Sequence, residues 1–177
     1  MSSLTVQNIQ GSTSSSNTIN VASGHKISGN VTHGTGSVFP AGHIIQVVQV
    51  TFTTDVEITA SSYTHYGAAD TVITCSSTSS KVLILADINV GPWENSSNDA
   101  QQAIRIYKGG SAVSREVFSR FYDYGGSGIL TKAGATINHL DSPNSTSELT
   151  YQLYFKKIAG DRAAIKNGSF TLMEIAG

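Results

Sequence analysis

The chain has 177 residues, enough for one domain with a sizeable core and an appendage, but not for two full domains. Its hydrophobic share of 39% suits a globular fold, while the charged share of 13% is about half the usual proportion, Ser, Thr and 17 Gly standing in its place. A net charge of −1 with no basic stripe argues against nucleic acid as a partner, and the single cysteine, Cys75, excludes an intramolecular disulfide.

Residues 1–42 are apolar beads on a polar thread, Leu4, Val6, Ile9, Ile19, Val21, Ile27, Val31 and Val38 among Ser, Thr and Gly. This is too apolar for a linker and too sparse for a core of its own. It holds no cationic start and apolar run of a secretory leader. An internal repeat runs from Val21-Ala22-Ser23-Gly24-His25-Lys26-Ile27 to Phe39-Pro40-Ala41-Gly42-His43-Ile44-Ile45, a pattern for a tight turn between short strands with Gly at positive φ. From residue 43 the pattern turns to strands. HIIQVVQVTFTT places Ile44, Val48, Val50 and Phe52 on one face, and short strands follow at 55–60, 62–66 and 70–75.

Lys81 to Gly91, KVLILADINVG, reads as a strand buried on both faces at the centre of a sheet. Asp87 within it then calls for a buried partner such as Arg105 or Arg120, or a place near the sheet edge. A polar loop with Trp93 comes next, then one or two helical turns over 98–104. The strongest hairpin signal is 103–108 and 111–118 about Gly109-Gly110. A strand is expected over 129–138, a turn at Asp141-Ser142-Pro143-Asn144-Ser145, and a half-buried strand where Leu149, Tyr151, Leu153 and Phe155 alternate with polar neighbours. Short strands at 163–165 and 170–175 close the chain. About eight to ten strands with almost no helix predict an antiparallel β-sandwich or jelly roll.

Chemistry-bearing residues are scattered. His25, His33, His43, His65 and His139 show no metal-ligand spacing, although His25 and His43 of the repeat are placed to meet a metal between chains. Asp87, Glu94, Asp99, Asp123 and Asp141 stand singly, with no pair at glycosidase spacing legible. Trp93, Tyr107, Tyr122 and Tyr124, beside Asn, Asp and Ser, form the candidate receptor or glycan-contact set. The competing reading is that such aromatics fill the core.

The segments INVASGHKISGNV, GHIIQVVQV, SSKVLILADINVG, IRIYKGG, LDSPNSTSELTYQLYFK and FTLMEIAG resemble C-terminal domains of structural proteins from marine and freshwater tailed phages. The resemblance covers most of the chain from about residue 19. It implies a jelly-roll-like head over 43–177, behind a β-rich attachment segment over 1–42 that joins other virion proteins. It further implies a homotrimer made in the host cytoplasm, part of the virion and without enzymatic activity or cofactor. The expected task is host adhesion as a short fibre or knob, with a capsid decoration protein as the alternative and a glycan-binding or glycan-cleaving protein as a third. Neither a membrane nor nucleic acid is an expected partner.

Overall fold

The computed structural model describes residues 41–95, 99–122, 129, 130 and 132–177. The segment over 1–42 expected to serve attachment, and with it His25 and His33, lies outside the described residues except for Ala41 and Gly42. The rest is all-β. In chain order the strands are β1 Ile44–Phe52, β2 Val56–Ile58, β3 Thr64–Thr74, β4 Lys81–Val90, β5 Trp93–Glu94, β6 Asp99–Lys108, β7 Ser111–Ala112, β8 Val117–Tyr122, β9 Ile129–Leu130, β10 Ala133–Asp141, β11 Glu148–Ala159 and β12 Ala163–Ile175.

Ten of these strands, eight of them long, make two antiparallel sheets. Sheet A runs β1-β12-β4-β10, with β2 also on β12, and sheet B runs β3-β11-β6, with β7 and β8 both on β6. Numbered by the eight long strands, the two orders are first-eighth-third-sixth and second-seventh-fourth-fifth. Two interleaved Greek keys of this kind are a jelly roll. The predicted β-sandwich is therefore the observed fold, and its strand order specifies which kind.

Alternation decides which face of each strand is buried. In β11, Tyr151, Leu153 and Phe155 are fully buried, as the sequence pattern predicts. They meet Ile84, Ala86, Ile88, Phe170 and Leu172 of sheet A across the sandwich core. The β4 segment departs from expectation. Val82, Ile84, Ala86, Ile88 and Val90 are buried, whereas Leu83 and Leu85 are half-buried and Asp87 and Asn89 are exposed. The strand is central in its sheet yet covered by the core on one side only. Asp87 therefore has no buried ion pair, since it points outward. Arg120 pairs instead with Asp99 at 2.8 Å, and Arg105 belongs to sheet B.

Other local expectations change in the same way. Residues 99–108 form a strand and not helical turns, because β6 is held between β11 and β8, and tertiary pairing overrides weak helix propensity. The Gly109-Gly110 turn is present, both residues at positive φ (56° and 79°). Its return strand stops after two residues, and β8 then resumes the pairing further along β6, with Val117 opposite Ile104. The two short closing strands are one continuous β12. Gly42 has φ +89°, as the repeat's turn requires. Asn144 also adopts positive φ (52°), and its amide donates to the Ser142 carbonyl within the predicted proline turn.

Polar groups tie the sandwich together. Glu174 on β12 faces inward and is fully buried. Its Oε1 accepts from the Ser76 N–H, the Ser76 hydroxyl and the Ser80 hydroxyl, each at 2.7 Å, and its Oε2 accepts from Gln46 Nε2 at 2.6 Å. Burial works to raise this carboxyl, but the hydrogen bonds from Ser76, Gln46 and Ser80 outweigh it and hold its pKa below the ordinary glutamate value. Asp141 of sheet A accepts from Lys108 at 2.5 Å and Tyr151 at 2.6 Å, both of sheet B, and so links the two sheets. Cys75 is buried and free.

Candidate functional site

The side chains that gather most chemistry lie on the outer face of sheet B. In β11 the residues between the buried ones, Gln152, Tyr154 and Lys156, point away from the core, and β3 and β6 add His65, Arg105 and Tyr107 beside them. Register places Tyr154 between His65 and Arg105. Its ring stacks on His65 at 5.0 Å and lies 4.2 Å from Tyr107, which in turn meets Tyr63 at 5.8 Å. The result is a row of four rings, three on β3, β11 and β6 and the fourth, Tyr63, immediately before β3.

Charges flank this row at both ends. At one end His65 Nε2 lies 2.6 Å from Asp70 Oδ1, and with that nitrogen engaged Gln152 Nε2 donates to Asp70 Oδ2 at 3.2 Å. At the other end the Tyr63 hydroxyl donates to Glu116 at 2.7 Å, Lys156 Nζ reaches the same carboxylate at 3.2 Å, and Lys156 also sits 4.6 Å from the Tyr63 ring centroid. Burial and the bond to Glu116 push the Tyr63 phenol well above its ordinary range. The bonds from Tyr63 and Lys156 draw the Glu116 carboxyl down. Arg105 lies 5.8 Å from the Tyr63 ring, and its Nε is buried without a protein partner. Beside the His65 end is a shallow groove lined by Asp70, Lys108, Glu148, Thr150 and Gln152. Aromatic faces and edges beside fixed cations, amides and carboxylates suit a polyhydroxylated ligand, whose rings stack and whose hydroxyls take the polar ends.

The sequence-derived contact set is split by the fold. Tyr107 is in the row. Trp93 is half-buried, with the Arg162 guanidinium 4.6 Å over its ring, so one face is already covered. Tyr122, 52% exposed, pairs with Asp99 at the far end of β6, the end at which the Trp93 backbone also lies, through Gly160. Tyr124 and Asp123 lie outside the described residues. Trp93 and Tyr122 thus share one end of the sandwich and Tyr107 sits at the other.

The remaining carboxylates are placed separately, Asp99 with Arg120, Asp141 with Lys108 and Tyr151, and Glu94 buried. Among the described residues no three His, Cys, Asp or Glu side chains gather as a metal site. His25 lies outside them, so the pairing of His25 with His43 does too. Tyr63 and Tyr154 were not singled out by sequence, and His65 was considered only among the five histidines weighed for a metal. The one signal available was Tyr154, an aromatic standing in the polar phase of an otherwise regular alternation.

No protein-family model and no curated protein matches the chain. Solved structures similar in shape include the following two. Dimeric latent PorU from Porphyromonas gingivalis matches 81% of this chain and 14% of its own, at 6% identity and a TM-score of 0.43. The structure of infectious bursal disease virus, Gx strain, matches 75% of this chain and 33% of its own, at 18% identity and a TM-score of 0.36. The chain thus spans a small part of either protein.

Proposed function

We propose that this chain is a non-enzymatic surface protein of a tailed-phage virion, and that its jelly roll is an adhesion module whose sheet B outer face engages a host-surface glycan. The row His65–Tyr154–Tyr107–Tyr63 carries the reading. The outward phase of a sandwich strand ordinarily holds small polar or charged side chains. Here that phase holds three tyrosines and a histidine on adjacent strands, braced by ion pairs at each end, which is expensive in solubility unless the rings meet a ligand. The segment resemblance to phage structural proteins supports the virion setting.

Glycan-array screening of the full chain, followed by calorimetry on a hit, tests the proposal. Tyr154→Ala and Tyr107→Ala are each expected to weaken binding at least tenfold, about 1.4 kcal/mol, in line with the loss of one aromatic contact. Trp93→Ala is expected to leave binding unchanged. Binding that survives both tyrosine substitutions refutes the assignment to this face.

A further inference from the structure

The outer face of sheet A bears a different pattern, and it is graded along the strands. One row crosses all four strands as Val47–Met173–Leu83–Leu140, each pair directly in register. Val47 is 55% exposed and Leu140 49%. The next row is Gln49–Thr171–Leu85–Asn138, and the one after is Thr51–Ser169–Asp87–Thr136. On the other side of the apolar row lie Ile44, Ile175 and Lys81. Over these rows the charged side chains are Lys81 and Asp87, both on β4. A four-residue apolar row open to water across a whole sheet is a surface that association would cover.

We infer that this face pairs with the same face of a second copy of the chain, about a two-fold axis parallel to the strands and between β12 and β4. Only an axis parallel to the strands keeps each row against its own kind. It sets Val47 over the partner copy's Leu140 and Met173 over its Leu83, and likewise Gln49 over Asn138 and Thr51 over Thr136. Both charges also come out opposite neutral groups, with Lys81 over Ile175 and Asp87 over the Ser169 hydroxyl. An axis perpendicular to the strands and centred on the apolar row would instead lay the Gln49–Thr171–Leu85 row on the row of Ile44, Ile175 and Lys81, so that only the central row would meet its own kind. Aligned packing of two sheets face to face has this geometry. Four strands about 4.8 Å apart and rows spaced at about 3.3 Å per residue give a face of roughly 400 Å² in projection. That is about half of what each partner contributes to a standard interface, so the pairing is expected to be reversible at micromolar concentration.

Sedimentation velocity of the full chain from about 1 to 100 μM tests this. The expected result is a mass rising from one chain of 18.6 kDa toward two. A concentration-independent monomer overturns the proposal, and so does the three-chain assembly that the sequence resemblance implies. Val47→Lys combined with Leu140→Lys replaces two half-exposed side chains and should raise the dissociation constant at least tenfold with the circular dichroism spectrum unchanged. Unaltered association of that folded variant also overturns it. Should the variant misfold, Val47→Cys mixed with Leu140→Cys and a short bismaleimide gives a second readout. A covalent dimer is expected from the mixture and not from either variant alone, Cys75 being buried. Linkage in neither or in all three refutes the register. The proposal is independent of the glycan reading, because it uses the opposite face of the sandwich.

Discussion

Replacing Glu174 with Ala is the most informative single perturbation of this fold. The carboxylate is fully buried and accepts four hydrogen bonds, three from the β3–β4 connection and one from β1. Removing it leaves the Ser80 hydroxyl, which is itself buried, without its acceptor, strands the Ser76 N–H and hydroxyl in partly wet surroundings, and takes one of two acceptors from Gln46 Nε2, which keeps its bond to the Thr74 carbonyl. One fully buried orphan costs about 1–3 kcal/mol and each partly solvated one less. The lost side-chain contacts and the space left behind add about 1 kcal/mol or more. The expected loss is about 3–5 kcal/mol, which for a chain of this size lowers the midpoint of thermal unfolding by roughly 6–15 °C. Glu174→Gln keeps the volume and one carbonyl acceptor, but its new NH2 faces the Gln46 NH2, which can turn away only by giving up its bond to the Thr74 carbonyl, so about 1–2 kcal/mol is expected. Urea unfolding followed by tryptophan fluorescence and far-ultraviolet circular dichroism measures both variants. A loss below about 1 kcal/mol for Glu174→Ala would show that the Ser76–Ser80 connection is solvated and refute the reasoning.

The same group sets an acid limit. Its pKa is depressed on folding, so its contribution is present above the unfolded-state value and is lost as pH falls through the folded-state value. Between pH 5 and 2 the stability of the parent chain should therefore fall more steeply than that of Glu174→Gln, which has no proton to take up there. Equal slopes would contradict the assignment. At Gly168 an added Cβ would meet the Asp87 carbonyl oxygen at 2.3 Å and the Phe52 ring at 2.8 Å, so Gly168→Ala should cost about 1–3 kcal/mol or more, whereas Gly134→Ala, with open space around it, should cost under about 1 kcal/mol in the same urea experiment. Burial and the neighbouring Glu174 raise the Cys75 thiol above its ordinary range. Its alkylation by iodoacetamide in native buffer should be at least a hundredfold slower than in urea, and fast native labelling would place it on the surface.

The sandwich was legible where the two phases of a strand differ in polarity. Leu149, Tyr151, Leu153 and Phe155 stand against Thr150, Gln152, Tyr154 and Lys156, and β11 buries Tyr151, Leu153 and Phe155 and half-buries Leu149. It was illegible in β4 for a specific reason. Leu83 and Leu85 occupy the outward phase, so the run looks apolar throughout, and Asp87 then looks like a buried charge. The outward phase is apolar there because the outer face itself carries an apolar row, and no reading of one strand in isolation separates that from burial on both sides. Glu174 was hidden by the opposite error, a carboxylate in the inward phase of an apolar strand whose partners lie about a hundred residues away in a serine-rich connection. The ring row on sheet B depended on register. Tyr63 and His65 meet Tyr107 and Tyr154 only because β11 lies between β3 and β6, and no local spacing encodes that order.

The place of β12 in sheet A has a kinetic consequence. The eighth of the long strands in chain order sits between the first and the third, with Ile175 paired to Ile44 and to Lys81. Until the ribosome has delivered β12, β1 and β4 have no common neighbour, and the backbone edges that face it on both strands remain unpaired. Pairing across so long a separation closes large loops before any contact repays the entropy, which makes folding slow. During translation the nascent chain therefore exposes two unpaired strand edges for as long as it takes to make some eighty-five further residues after β4, a window of several seconds or more at ordinary elongation rates.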